Sequence, residues 1–258
     1  MKDNRNHKLN LLLKSVRASS KTIVMTGAGI SVESGIPTFQ GTEGLWARFG
    51  KPNMDAFQNF KKFPEKWWER EINHQRSPYV KELRRAIEAA KPNAGHIFLT
   101  KLLNNCYISS IITQNIDGLH VESGATEVIE IHGNRHKLRC LNCCYRVFFL
   151  PPLIKPPVNC PKCDGIVKYD SVMFGEPIPE DVLKDAKEKF YNSELVIVIG
   201  SSSTVRPAAG LAWIAKSNGA KLVEINPNKT KLSEECEIVF RESASTLLTD
   251  FWKRISSN

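Results

Sequence analysis

Two cysteine pairs, Cys140-x-x-Cys143 and Cys160-x-x-Cys163, carry the most specific chemistry in the chain. Each pair makes a tight knuckle of two thiolates, and the sixteen residues between them let the knuckles face each other around one tetrahedral Zn²⁺. Four thiolates close the coordination shell, so the implied site is structural rather than catalytic. The competing readings are a pair of disulfides, which need an oxidising compartment, and unrelated buried cysteines. Cys144 adjoins a ligand but breaks the spacing, and Cys106 and Cys236 have no sequence neighbour that would activate a thiolate.

A second group of residues suits a nucleotide. Gly27-Ala28-Gly29-Ile30-Ser31 follows the apolar run Thr22–Thr26, where glycines would let backbone amides approach a diphosphate beside a helix start. The motif departs from GxGxxG, so by itself it reads equally as a tight turn. Gln114-Asn115-Ile116-Asp117, Gly200-Ser201-Ser202-Ser203 and Asn226-Pro227-Asn228 each follow a strand-like segment in the same way. Open parallel sheets bind ligands beyond the carboxyl ends of their strands, so these polar turns would meet the glycine turn around ribose hydroxyls and an amide. His132 follows Val128–Ile131 at that same edge, where its pKa range suits a general base near neutrality. A lone histidine there is more often a structural one.

The elements that must position these groups alternate. Helical patterning covers 9–18, 64–76, 79–90, Ala94–Asn104, 179–190, 206–217 and 243–255, while Thr22–Thr26, Tyr107–Thr113, Val128–Ile131, Leu195–Ile199 and Lys221–Ile225 read as buried strands. This predicts an α/β fold: a Rossmann-like parallel sheet covered on both faces. The texture changes over 135–169, which holds five of the seven cysteines and five of the fourteen prolines. We expect one catalytic unit over 1–258, with a large part at about 9–50, 93–134 and 171–258. The small domain joins a helical insert at about 51–92 to a zinc ribbon at about 135–170.

Composition sets the limits. With 258 residues, 41% of them apolar, the chain can build a substantial core. It has no run of about 20 apolar residues and no secretory leader, so a cytoplasmic protein without membrane partners is expected, and a monomer. The net charge of +9 is spread along the sequence, with Lys61-Lys62 and Arg84-Arg85 the densest pairs. That favours a solvated basic surface with weak, nonspecific nucleic-acid affinity over a dedicated patch.

Taken in order, GAGIS (27–31), SGIP (34–37), TQNIDGLH (113–120), HG (132–133), the cysteine pairs, FGE (174–176), GSSSTV (200–205) and IN (225–226) resemble the sirtuin family along essentially the whole chain. The resemblance implies NAD-dependent removal of acyl groups, acetyl above all, from protein lysines. The acyl oxygen displaces nicotinamide from the ribose, His132 as base activates a ribose hydroxyl, and water releases lysine and O-acyl-ADP-ribose. It further implies that Gly27, Ala28, Gly29 and Ile30 line the diphosphate, and that Ile36, Pro37, Phe39, Gln40 and Trp46 form a loop over the nicotinamide ribose. Gln114 would contact ribose, while Asn115, Ile116 and Asp117 hold the nicotinamide amide, Asn115 also serving the chemistry. Gly200, Ser201, Ser202, Asn226, Pro227, Asn228 and Ala244 would line the adenosine half. Val172, Phe174, Gly175 and Glu176 would form a strand that binds the peptide by β-augmentation.

Two departures stand out. Gln40 occupies a place where the family carries arginine, which predicts weaker NAD affinity or slower turnover. The stretch 67–74 lacks the Tyr-x-x-Arg pair of succinyl- and malonyl-preferring relatives, and Glu71 is expected to repel acidic acyl groups. Phe60, Phe63, Trp67 and Trp68 are either core packing or an apolar acyl tunnel. Two other functions stay open on sequence: an NAD hydrolase or mono-ADP-ribosyltransferase using the same site, and a zinc-dependent nucleic-acid binder that only senses NAD.

Overall fold

The computed structural model describes residues 2–149 and 159–257. Helix α1 (Lys2–Ala18) leads into β1 (Thr22–Thr26), whose five residues are all buried. A 3₁₀ segment over Ala28–Ser34 and four helices follow: α2 (Leu45–Phe49), α3 (Ala56–Lys62), α4 (Pro64–Ile72) and α5 (Pro78–Ala89). Next come α6 (Ala94–Asn104), β2 (Ser110–Thr113), α7 (Leu119–Glu122) and β3 (Val128–Glu130). Three short strands, β4 (Lys137–Cys140), β5 (Arg146–Phe148) and β6 (Val167–Tyr169), precede α8 (Glu180–Tyr191) and β7 (Leu195–Ile199). The chain closes with α9 (Leu211–Ser217), β8 (Lys221–Ile225), β9 (Ile238–Phe240) and α10 (Ala244–Ser256).

Six strands form one parallel sheet in the order β3-β2-β1-β7-β8-β9. Their continuous apolar runs are explained by burial on both faces. Leu12, Leu99, Leu247 and Phe251 cover one face, and Phe190, Leu211, Ala215 and Leu232 the other. From β1 the chain builds outward through β2 to β3, then returns to lay β7 on the opposite side of β1. The carboxyl ends of β1 and β7 therefore flank the topological switch point, where such sheets open a ligand crevice.

The short strands make a separate antiparallel sheet, β5-β4-β6. Its core joins α4: Trp68, fully buried, packs with Leu138, Cys140, Cys160, Val167 and Tyr169, and its indole N–H donates to the Val167 carbonyl at 3.0 Å. The 150–158 part of the expected zinc ribbon lies outside the described residues. Among the described residues, no helix is long and apolar enough to cross a membrane.

Candidate active site

At the switch point the two glycine turns interlock. A Cβ on Gly27 would stand 2.8 Å from Ser201 Cα, and one on Gly29 would stand 2.6 Å from Gly200 Cα. Glycine is thus required by loop against loop. The amides of Gly27, Gly29 and Ile30 donate to Ile199 O, Gly200 O and Gly27 O at 2.9, 2.8 and 3.1 Å. This corrects the sequence reading, which gave these amides to a diphosphate: three of them are used inside the protein, and the ligand would meet the glycine surface itself.

Around this turn gather the polar groups that sequence placed at the strand ends. The Gln114 amide donates to Ser201 Oγ at 2.9 Å, and Asn226 Nδ2 donates to the Ser201 carbonyl at 3.0 Å, so three strand ends are tied together. Asn228 N–H donates to Asn226 Oδ1 at 3.0 Å, leaving Pro227 and Asn228 exposed at the rim. Ile30, Ile36 and Ala244, in contrast, are buried in hydrophobic clusters, and Ala244 retains 8% exposure as the first residue of α10.

Beneath the turn lies a buried polar chain. Ser31 Oγ donates to Asp117 Oδ2 at 2.7 Å and accepts from Asn115 Nδ2 at 3.0 Å. Asp117 Oδ1 also accepts Leu119 N–H at 3.0 Å, while burial raises the carboxyl's pKa against these bonds. Below Ser31, His96 Nδ1 accepts Asn93 N–H at 3.3 Å, which puts the proton on Nε2, 3.4 Å from Ser31 Oγ. His120 lies tilted against His96 with ring centroids 4.8 Å apart, and its Nε2 is 2.9 Å from Thr26 Oγ1. Burial drives His96 down to about 4 and His120 well below the usual range. Sequence reasoning assigned no role to Ser31, His96 or His120. The one local signal was Asn93, an N-cap residue three positions before His96 that forms a capping box with it.

His132 sits at the end of β3, with Nδ1 2.9 Å from the Gln114 carbonyl. That partner can only accept, so the proton is on Nδ1 and Nε2 keeps a lone pair. Burial lowers the ring's pKa against the opposing pull of the Gln114 bond, which keeps it neutral near pH 7.

Aromatic rings line the mouth: Phe39 and Trp46 have centroids 6.0 Å apart, and Trp46 and Phe174 6.1 Å. Gln40 Nε2 donates to Thr204 Oγ1 at 2.8 Å, joining the 36–46 loop to the loop after β7. Ser202 Oγ lies 2.9 Å from the same hydroxyl.

The segment 172–176 differs from expectation. It is not a regular strand: Phe174 and Gly175 form a turn, and Gly175 adopts φ +79°. Glu176 does not point its side chain to a substrate; it is 1% exposed, paired with Arg139, and 3.0 Å from Lys168 Nζ. Its Oε2 also accepts Met173 N–H at 2.7 Å, fixing the turn. The expected repulsion by Glu71 is likewise corrected. That carboxylate is buried among Arg76, Arg84 and Arg135, at 2.9, 3.7 and 3.6 Å, so its charge is more than compensated. The aromatic stripe is packing as well. Trp67 meets Tyr169 edge-to-face and Trp68 meets it tilted, with centroids 5.8 and 5.0 Å apart, and Phe63 is 46% exposed under lysine side chains, so these rings do not form a tunnel.

The four cysteines converge. Their sulfurs all lie within 4.8 Å of one another, with Cys140–Cys163 and Cys143–Cys160 at 3.6 Å. Tetrahedral Zn–S bonds of about 2.3 Å place thiolates nearly that far apart. Asn142 and Lys162 amides donate to Cys140 Sγ and Cys160 Sγ at 3.3 and 3.4 Å, as knuckles do for charged sulfur. The donor set fits one structural zinc. All seven cysteines are free, and the paired sulfurs at 3.6 Å stand well beyond the roughly 2.05 Å of a disulfide.

A switch-point crevice of amides and hydroxyls, edged by a neutral histidine and backed by a Cys₄ module, defines a nucleotide-dependent enzyme with a structural metal. Comparison with known proteins gives the lineage. Residues 27–207 match the model of the Sir2 family. NAD-dependent protein deacylase 1 of Caldanaerobacter subterraneus subsp. tengcongensis is 41% identical over 91% of this chain and 93% of its own. A solved Sir2 homolog–NAD complex superposes with TM-score 0.79 at 33% identity, covering 96% of this chain and 94% of that one. A Sir2–p53 peptide–NAD⁺ structure gives TM-score 0.76 at 30% identity, covering 96% and 98%. The chain belongs to the Sir2 family.

Proposed function

We propose that this cleft removes acyl groups, acetyl first among them, from protein lysines with NAD as co-substrate, releasing nicotinamide and O-acyl-ADP-ribose. Relatives named NAD-dependent protein deacylase, and Sir2 structures holding NAD or a peptide, support the assignment. The observation that carries it is His132: Nδ1–H is committed to Gln114 O, leaving Nε2 as an unprotonated base.

NAD, when bound, supplies a ribose carbon with nicotinamide as its leaving group. The residues do the rest. Gln114, Ser201, Ser202 and Asn226 present donors and acceptors suited to the ribose and adenosine side. Asn115 and Asp117, prealigned by Ser31, suit the carboxamide, since Asp117 already acts as an acceptor toward two donors. Phe39 and Trp46 exclude water from the reacting end. His132 takes the proton of a ribose hydroxyl after nicotinamide has left. The backbone of Val172, Phe174 and Gly175 forms the peptide wall, with Glu176 as its internal anchor. The Phe174 carbonyl is already bonded to Phe57 N–H at 3.2 Å, so strand-like pairing there is limited to its neighbours. The peptide cleft separates the large Rossmann-like part from the small helical and zinc part.

The scatter of cations along the sequence supports a solvated basic surface with only weak affinity for nucleic acid. The pH profile of kcat/KM tests the role of His132. An acid limb set by a group titrating below the ordinary histidine value of about 6.5 agrees with the reading, and an acid limb set by a group titrating above it contradicts it.

A further inference from the structure

The loop that carries His132 is held at three successive residues by one short strap that leaves the zinc sheet. The His132 carbonyl accepts Val172 N–H at 2.7 Å. Gly133, at φ +72°, lies so close beneath the Asp170 carbonyl that any Cβ there would collide with it. Asn134 N–H donates to Asp170 Oδ2 at 3.1 Å. Asp170 is itself 3% exposed and held from the metal side: its N–H donates to Lys137 O at 2.8 Å, and its Oδ1 accepts Arg146 Nε at 2.8 Å, with Arg139 Nε 3.5 Å away. Arg139 also pairs with Glu176, the anchor of the peptide wall. Strand β6 ends at Tyr169, immediately before Asp170, and pairs with β4, in register Cys140↔Val167.

We propose that Asp170 is a positioning residue for deacylation. It fixes the backbone of 132–134, and so the imidazole, against the frame set by the zinc ribbon, and couples that frame to the peptide wall two residues further on. The carboxylate is suited to this because it accepts from a loop amide on one oxygen and from a guanidinium on the other, so neither partner can shift alone. A site held this way is sensitive to small displacements, since proton transfer depends on hydrogen-bond reach.

The proposal rests on the assignment of His132 as a base that acts after nicotinamide leaves. It therefore predicts that disturbing Asp170 separates the two halves of the reaction. In zinc-loaded full-length protein, Asp170→Ala is expected to lower deacylation kcat about tenfold, while exchange of labelled nicotinamide into NAD changes by less than about twofold. Asp170→Asn, which keeps an acceptor for Asn134 N–H, is expected to recover most of the lost rate. Arg146→Ala, at a partly exposed position, loosens the same carboxylate without touching the loop and carries the test if Asp170→Ala fails to fold. It should slow deacylation selectively and more mildly. Equal loss of exchange and deacylation in these variants, or no loss of deacylation, overturns the proposal. A wild-type protein that releases no deacylated peptide overturns the functional reading itself.

Discussion

Lowering the pH from 7 to 5 should destabilise this protein through His96, and the size of the effect follows from its burial. His96 is fully buried, and desolvation brings its pKa to about 4 from an unfolded value of about 6.5. Between those values the unfolded chain binds the proton and the folded chain does not, so stability is complete above about 6.5 and falls as the pH drops. Each pH unit inside the window is worth about 1.4 kcal/mol, which gives about 2 kcal/mol lost by pH 5 from this residue alone. His120 lies against it and shifts in the same direction, adding to the loss, while the raised carboxyl of Asp117 works the opposite way, so the comparison with a His96 variant isolates this residue. Denaturant midpoints at pH 7, 6 and 5, converted with a common m value, measure the slope. His96→Gln should flatten it, because glutamine takes up no proton. A variant whose pH slope equals that of the wild type would refute the reasoning. Function should follow stability here: protonated Nδ1 cannot accept Asn93 N–H, and the helix cap beneath Ser31 loses its partner.

Three other outcomes are expected. Gln40→Arg replaces the amide that bonds Thr204 with a guanidinium able to meet phosphate, so NAD KM should fall about threefold or more; steady-state kinetics showing no gain in KM or kcat would sink the idea. Stripping the metal with a strong chelator should abolish deacylation and lower the melting temperature together, because Cys140 and Cys160 are core residues beside Trp68; full activity in metal-free protein, checked by elemental analysis, would contradict a structural zinc. Trp68→Ala should cost about 3–5 kcal/mol by denaturant unfolding, since it empties a fully buried site between α4 and the zinc sheet; a loss below about 1 kcal/mol would show that the contact is not a core.

What the sequence made legible was mostly local. The cysteine knuckles follow from spacing alone, β1 and β7 from continuous apolar runs, and α6 from the helical pattern over Ala94–Asn104. Long-range demands were hidden. Helix α1 begins at Lys2 rather than near residue 9 because its polar first turns dock beside α10, Arg5 bonding Glu242 just before that helix and Asp250 within it. Tyr107 and Ile108 read as strand, yet Cys106 turns to φ +58° and their amides return to the Leu102 carbonyl as the end of α6. Ser31 and Asp117 are 86 residues apart, and no periodicity joins them. The aromatic stripe of α4 left packing and tunnel open because its partner Tyr169 lies far along the chain, and the charge of Glu71 misled because the fold gathers Arg76, Arg84 and Arg135 around it from three segments. Gly27 and Gly29 were recognised as special, but the loop that demands them could be identified only once β7 lay beside β1.

The central claim is tested most directly by incubating the protein with NAD and an acetyl-lysine peptide, and quantifying free nicotinamide and deacylated peptide in the same samples beside His132→Ala. The account predicts one nicotinamide per lysine released, with deacylation lost in the variant. Nicotinamide produced without free lysine, or deacylation that survives His132→Ala undiminished, would contradict it.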